Sequence, residues 1–454
     1  MKQETKRRID LVGEAIAQFF CRSVSKKEQL RREARLREQI EAPFEPVFRF
    51  AVASDIHIQT DNPDSADRLR ELFATAYAYA ERCPTHKTLD AVALVGDFTD
   101  GGSQPQYDIL KGILKDCLRS ETTLFTVMGN HEHGNLDTEG YTKNLDPRLD
   151  KHDVIGGFHF LGLAPLPKDT WHKPQQLLWM AKELKKAKRA APNKPIFTFQ
   201  HGHIWKTVYV SRSWYTQMGL PLHIVFSRYP QIINFSGHSH GPINHPLTVW
   251  QSRCTMFGTG TLKYFEMERD INTDTVPAGS ENAAQYLIVE ADAQNRVRVL
   301  PFNLLTRDFF KTPANTDDPD RQLVYFVENP ADRKTFAYTA ARKKTDAAPC
   351  FAPDAKIAAA SPTPDSVSVT FDQAQSDVCV YGYLLRFYEE AHPKKAALSE
   401  AIFSEYYFEP MPRQRTCTVS GLKSDTRYTV RVYPMNAWRK KGKPLETEFT
   451  TSKR

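Results

Sequence analysis

The chain holds 454 residues, 41% hydrophobic and 25% charged, a globular balance that excludes a disordered or collagen-like chain. Its net charge of +7 mildly favours phosphate-bearing ligands, without the clustering of a dedicated nucleic-acid binder. No apolar run reaches the roughly eighteen residues that a membrane-spanning helix requires.

Residues 1–42 form a basic segment, with eleven Lys/Arg against seven Asp/Glu. Periodicity predicts one amphipathic helix from Asp10 to about Ile40, with Leu11, Ala15, Ile16, Phe19 and Phe20 on one face. Asp10, Glu14 and Gln18 interrupt the apolar stretch, and no small-residue cleavage site follows. That argues against a signal peptide and for the cytoplasm. Packing on the body is the expected use of this helix; a membrane-surface anchor is the alternative. The seven cysteines are odd in number and free of any CxxC pair, which fits free thiols better than a disulfide framework or zinc ribbon.

Residues 43–310 alternate strand and helix patterns, the signature of an α/β layered domain. Strands are expected at Phe48–Ala53, Ala91–Val95, Thr123–Met128, His159–Leu163, Pro195–Gln200 and Gln231–Ser236, with helices at Asp67–Arg82, Gln106–Arg119 and Pro174–Arg189. Thr255–Gly260, Gln285–Glu290 and Val297–Leu300 read as a closing run of antiparallel strands. Residues 311–348 begin with a polar, turn-rich linker at Lys311–Asp320, and the pattern from 321 to 347 is ambiguous. Residues 349–454 lose the helical signal. There Ser366–Phe371, Val378–Tyr388, Thr416–Ser420 and Thr426–Tyr433 alternate as the strands of a β-sandwich.

In an open α/β sheet, ligands gather at the carboxyl ends of the strands. Five predicted strands end in metal-ligand types: Asp55/His57, Asp97, Asn130/His131, His201 and His238/His240. One Asp-x-His alone is an ordinary turn, but five such ends in succession have no bland account. Carboxylate, amide and imidazole without thiolate suit Mn, Fe or Zn. The groups are too many for one ion, so two divalent metal ions sharing a carboxylate are expected.

These residues resemble the calcineurin-like metallophosphoesterase superfamily, whose signature is D-x-H, G-D, G-N-H-[ED], a lone His and G-H-x-H. Here the blocks are Asp55-Ile56-His57, Gly96-Asp97, Gly129-Asn130-His131-Glu132, His201 and Gly237-His238-Ser239-His240, over roughly residues 48–305. The resemblance implies a four-layer α/β/β/α sandwich with a dinuclear centre between two sheets. It implies Asp55, His57, Asp97 and His240 on one metal and Asp97, Asn130, His201 and His238 on the other, with Asp97 bridging. A bridging hydroxide would attack phosphorus, and His131, supported by Asp100, would protonate the leaving oxygen. Asp100 stands where the purple acid phosphatase branch has a metal-binding tyrosine, and His57 where it has glycine. Both departures argue against a ferric–tyrosinate site. Asp100 matches instead the His–Asp pairing of the protein-phosphatase branch, although Gly101 replaces the arginine that follows there.

The fourth block offers both His201 and His203. His201 ends its strand and is the assigned ligand; His203 would line the pocket, and the reverse assignment stays open. Between His201 and Gly237 lies an aromatic and basic insertion, including Trp205, Lys206, Tyr209, Arg212, Trp214 and Tyr215. Trp205 and Arg212 are candidate substrate contacts for a phosphoester, the alternative being a cap with its own small core. Gly134–Lys151 is a second candidate rim loop.

The segment Gly421-Leu422-Lys-Ser-Asp-Thr426-Arg-Tyr428 is similar to the tyrosine corner of fibronectin type III domains, with Phe371 where that family often has Trp. Such domains in microbial enzymes are often extracytoplasmic, which opposes the reading of the N-terminus. The expected activity is a metal-dependent phosphoester hydrolase, a phosphatase or phosphodiesterase. A nuclease of the same superfamily is the nearest alternative, nucleic acid being possible but not favoured. A non-catalytic scaffold is the alternative of another class.

Overall fold

A computed structural model describes residues 24–165, 172–215, 219–268, 271, 275–312 and 320–454. The chain divides into two compact units. One comprises residues up to 267 with 276–310 and 323–345; the other comprises 268–275, 311–322 and 346–454. Among the described residues no helix is long and apolar enough to cross a membrane.

The first unit opens with helix α1 (Lys26–Glu41). Its start is set by Ser25, whose extended backbone and Oγ acceptor for the Glu28 N–H make an N-cap. The single helix expected from Asp10 therefore breaks at Ser25; Leu11, Ala15, Ile16, Phe19 and Phe20 lie outside the described residues. Helix α1 packs on the body through Gln29, which donates to the Ala337 carbonyl at 2.6 Å and accepts from the Thr339 hydroxyl at 2.7 Å.

Strand β1 (Pro46–Ala53), helix α2 (Asp64–Arg82), β2 (Ala91–Val95), α3 (Gln104–Cys117) and β3 (Thr123–Val127) follow in alternation. A short helix α4 (Asp137–Asn144) occupies the expected rim loop, and β4 (Lys151–Ile155) and β5 (Phe158–Leu163) form a hairpin. Helix α5 (Pro174–Ala190), β6 (Ile196–Gln200), α6 (Gly219–Phe226), β7 (Ile232–Ser236), β8 (Val249–Gln251) and β9 (Thr255–Gly258) come next. Strands β10 (Gln285–Asp292), β11 (Val297–Asn303), β12 (Asp308–Phe309) and β13 (Tyr325–Val327) close the unit. The stretch from 321, ambiguous in sequence, supplies β13, which pairs with β11.

One sheet has the order β12-β11-β10-β1-β2-β3, and the other β4-β5-β6-β7-β9-β8. Strands β1, β2 and β3 are parallel, as are β5, β6, β7 and β9. Alternate residues of both sheets meet in one core rich in phenylalanine: Phe50 and Val95 from the first sheet face Phe160, Phe199 and Phe235 from the second. The Phe50 and Phe160 rings meet edge to face with centroids 5.0 Å apart. The opposite face of β1 and β2 buries Ala51, Ala53 and Leu94 against Leu69 and Leu110 of α2 and α3, and Leu184 of α5 covers the second sheet. The result is the four-layer α/β/β/α sandwich, with the carboxyl ends of the parallel strands gathered at one edge.

The second unit is an antiparallel sandwich. One sheet joins β14 (Ile357–Ala360), β15 (Ser366–Asp372) and β18 (Gln414–Ser420); the other orders β17 (Leu398–Phe403), β16 (Gly382–Glu389), β19 (Arg427–Met435) and β20 (Leu445–Thr450). The tyrosine corner forms: the Tyr428 hydroxyl accepts the Lys423 N–H at 3.0 Å, and Phe371 sits in the core edge to face with Tyr383.

Strand β1 is locked to its antiparallel neighbour by a buried ion pair, Arg49 Nε to Glu290 Oε1 at 2.6 Å, both side chains fully enclosed. Removing one partner leaves a buried charge unpaired, which costs about 3–5 kcal/mol. Glu290→Ala is expected to lower the unfolding free energy of the first unit by that amount in denaturant titrations. A loss under 1 kcal/mol would contradict this account of the pair.

Candidate metal centre

The loops after β1 and β2 are zipped together by main-chain bonds: the amides of Ile56 and His57 both donate to the Asp97 carbonyl, at 2.8 and 2.9 Å. Within these turns and the one after β7, five side chains stand on left-handed backbone: Asp55 (φ 54°), His57 (53°), Asp97 (52°), His238 (71°) and His240 (52°). This conformation costs a non-glycine residue roughly 1–2 kcal/mol and clusters at functional sites. Two glycines permit the close approach. A Cβ on Gly129 would lie 2.2 Å from Asp97 Oδ1, and one on Gly96 would lie 2.4 Å from His201 Nδ1.

Among the described residues, ligand atoms within 4.8 Å of one another form two separate groups, Asp55/His57/His240 and Asp97/His201/His238, and a third, His57/Asp100/His131, that shares His57 with the first. Asp97 Oδ2 lies 3.0 Å from His201 Nε2 and 3.9 Å from His57 Nε2, so it stands between the groups. His57 and His240 approach through their Nε2 atoms at 3.1 Å. The Asn130 Oδ1 atom is buried without a hydrogen-bond partner among the described residues. A buried orphaned acceptor next in the chain to His131, whose amide donates to Asp97 Oδ1, is what a cation would satisfy, so the donor set fits a metal.

Outer partners fix the imidazoles. His201 Nδ1 donates to the Val95 carbonyl at 2.8 Å, and His240 Nδ1 to the Tyr264 carbonyl at 2.9 Å, which turns each Nε2 inward. The His57 Nδ1 lies 3.2 Å from the Asp100 carboxylate. That carboxylate also accepts from Lys263 Nζ at 2.8 Å and Gln59 Nε2 at 2.9 Å. The hydrogen bond from His57 leads the interactions that hold Asp100 well below the usual carboxylate range. Asp100 does reach His131, but through its main-chain carbonyl, which accepts from Nδ1 at 2.8 Å. The Asp100 carboxylate therefore approaches His57 most closely, while it also lies in one ligand-atom group with His57 and His131.

Glu132, read in sequence only as the last letter of a motif, organises the centre from below. Fully buried, it accepts the amides of Asp97 (2.9 Å), Gly129 (2.8 Å) and Thr99 (3.0 Å), tying the second turn to the third. Its signal in the sequence was a carboxylate after two strand-end ligand positions.

His203 does not line the pocket. It is buried with both ring nitrogens on serines, Nδ1 to Ser236 Oγ at 2.7 Å and Nε2 to Ser239 Oγ at 2.6 Å. Of the two histidines in the fourth block, His201 joins the ligand group. Arg212 is exposed, and Trp205 lies beside Tyr215, under the Lys206 ammonium; neither is among the side chains of the two ligand groups. It is Trp214 that touches a ligand, edge to face with His238 at 5.0 Å. The insertion carries its own packing, with Ile204 and Val208 in the outer core of the second sheet.

Residues 48–242 match the family described as calcineurin-like phosphoesterase, and residues 352–449 match the fibronectin type III domain. Residues 48–242 form a calcineurin-like phosphoesterase domain. Among solved structures the chain is similar to a purple acid phosphatase from yellow lupin seeds, with 15% identity over 63% of this chain and 54% of that one, TM-score 0.43. It is also similar to a computationally redesigned β-sandwich protein, with 21% identity over 23% of this chain and 91% of that one, TM-score 0.18. No curated protein matches the chain at a significant level. The phosphoesterase domain is of the metal-dependent kind, and its candidate ligands are the two His/Asp groups.

Electrostatics set the metal-free protonation of this domain. Burial lifts Asp55 to about 7. Burial opposes charge on His201, but Asp97 outweighs it and raises the imidazole to about 10. At pH 7 His201 therefore carries a proton and Asp55 is part-protonated, and a metal must displace these protons to bind. Binding affinity is expected to climb about tenfold per pH unit above pH 7, and more steeply below it. Calorimetry of metal uptake in buffers of different ionisation enthalpy reads the released protons. A buffer-independent heat would refute the His201–Asp97 ion pair.

Proposed function

We propose that the chain hydrolyses phosphoesters at a two-metal centre, with His131 as the acid for the leaving group. The observation that carries this reading is the position of Asp97 Oδ2 between two ligand groups, 3.0 Å from His201 Nε2 and 3.9 Å from His57 Nε2. Asp55, His57, Asp97 and His240 would hold one ion, and Asp97, Asn130, His201 and His238 the other; the thiolate-free set suits Mn, Fe or Zn. Bound there, the ions supply Lewis acidity to the phosphoryl oxygens and activate the attacking water.

The protein's own part falls to His131. Its side chain is 39% exposed, whereas those of His57, His201 and His240 are at most 6% exposed. Its main-chain N–H donates to Asp97 Oδ1 at 2.9 Å, which fixes it to the centre. Because a carbonyl only accepts, the bond from Nδ1 to Asp100 keeps a proton on Nδ1. The second proton of the imidazolium then sits on Nε2, 4.0 Å from Asp97 Oδ2. On transfer to the leaving oxygen it leaves the neutral Nδ1–H tautomer, which the same carbonyl stabilises.

Metal-stripped protein restored with Mn²⁺, Fe²⁺, Zn²⁺ or Ni²⁺ in turn is expected to hydrolyse p-nitrophenyl phosphate or bis-p-nitrophenyl phosphate. The rate ratio of the two assigns monoester or diester; no turnover with any bound metal would overturn the reading. His131→Ala is expected to keep both ions and lose roughly 10²–10⁴-fold in turnover. A metal-free variant by mass spectrometry would remove its role as an acid. Asp97→Asn is expected to lose both ions, and full occupancy would refute the shared carboxylate.

A further inference from the structure

The first unit contains a cavity of about 510 Å³, within the range of small-molecule sites. It lies at the far end of the second sheet from the metal ligands. Strand β9 runs parallel to β7, with Gly258 opposite Ser236 and Thr255 opposite Ile233. His238 and His240 follow Ser236, whereas the cavity residues Ser252 and Arg253 precede Thr255, at the amino end of β9.

Its lining includes five cations, Arg32, Arg253, Arg333, Lys334 and Lys344, together with Trp250, and no carboxylate among the described residues. The guanidinium of Arg333 is held by neutral acceptors, with Nε on the Arg253 carbonyl at 2.8 Å and Nη2 on the Ser227 carbonyl at 2.5 Å. Arg32 uses Nη1 on the carbonyls of Arg333 and Phe336, and only its Nε meets an acid, Glu28. Arg32 Nη2, Arg333 Nη1 and Lys334 Nζ have no partner among the described residues. Carbonyls fix the geometry of these cations without neutralising them. Burial, and then the charge of Arg253, pull Arg333 below its usual range. An anion relieves that repulsion and meets preset donors. Trp250 packs against the outer core of the second sheet, and its indole is a flat surface in the same cavity wall.

We propose that this cavity binds a phosphorylated small molecule with a planar ring, of nucleotide type, with phosphates on the five cations and the ring on Trp250. The site is separate from the metal centre and its assignment does not depend on the hydrolytic reading. A purely structural use accounts for Arg333, which ties its segment to Ser227 and Arg253, and for Arg32, but not for the exposed Lys334 on the same cavity.

The test is calorimetric titration of the metal-loaded full chain with adenosine 5′-(α,β-methylene)diphosphate, whose P–C–P bridge resists cleavage, and with methylenediphosphonate, which lacks the ring. Lys334→Gln/Lys344→Gln, both exposed, is expected to weaken one equivalent of either probe by about tenfold or more. Turnover of p-nitrophenyl phosphate should stay unchanged. Trp250→Ala should weaken the adenosine probe alone. No binding, or a single equivalent that disappears when a chelator removes the metals, overturns the site. So does binding indifferent to the lysine variant. Equal affinity of the two probes, unaffected by Trp250→Ala, overturns the nucleotide assignment.

Discussion

A carboxylate buried between two sheets sets the terms for the rest of this domain. Asp97 is enclosed, yet its Oδ2 faces His201, His57 and His131, and its Oδ1 accepts the His131 amide. Burial would raise its pKa, but the surrounding imidazoles, His201 foremost, hold it well below the carboxylate range. A charge so placed is tolerable only with its partners on station. Gly96 and Gly129 lack the Cβ atoms that would displace them, Glu132 fixes the turn from beneath, and the phenylalanine core sets the spacing of the two sheets.

The same logic explains the backbone of the site. Five ligand residues with positive φ represent a cost on the order of 5–10 kcal/mol, comparable with the whole stability of a domain. It is met by rigidity nearby: parallel strands buried on both faces, the main-chain zipper between the first two turns, and the Glu132 clamp. In left-handed turns Asp and His side chains are thrown back over the strand ends. Strain and ligand placement are therefore one feature, and a relaxed backbone would not assemble the cluster.

What the sequence could disclose follows from this. Strands such as Ala91–Val95, apolar on both faces, announce themselves, and the ligands at their ends were legible because a polar residue has little other reason to follow such a strand. Edge strands were not legible: Lys151–Ile155, Leu398–Phe403 and Leu445–Thr450 mix charged and apolar residues as a half-exposed edge requires, and their periodicity is weak. The choice between His201 and His203 needed the two serine hydroxyls that occupy His203, one of which lies thirty-three residues away. Likewise, the sequence places Asp100 near His131 but cannot say that its carbonyl meets His131 while its carboxylate meets His57. The positive φ at His57, which turns that ring, arises only when the first two turns zip together.

This division of Asp100 between two histidines separates two tasks that a single dyad would combine. A carboxylate behind His57 raises the basicity of an imidazole whose Nε2 faces a ligand group, which strengthens it as a donor to a cation. The neutral carbonyl behind His131 orients the ring and fixes a proton on Nδ1. Lys263 pairs with the Asp100 carboxylate on its other side, at 2.8 Å. The two histidines share one residue, one through charge and the other through a dipole, and their chemistry diverges accordingly.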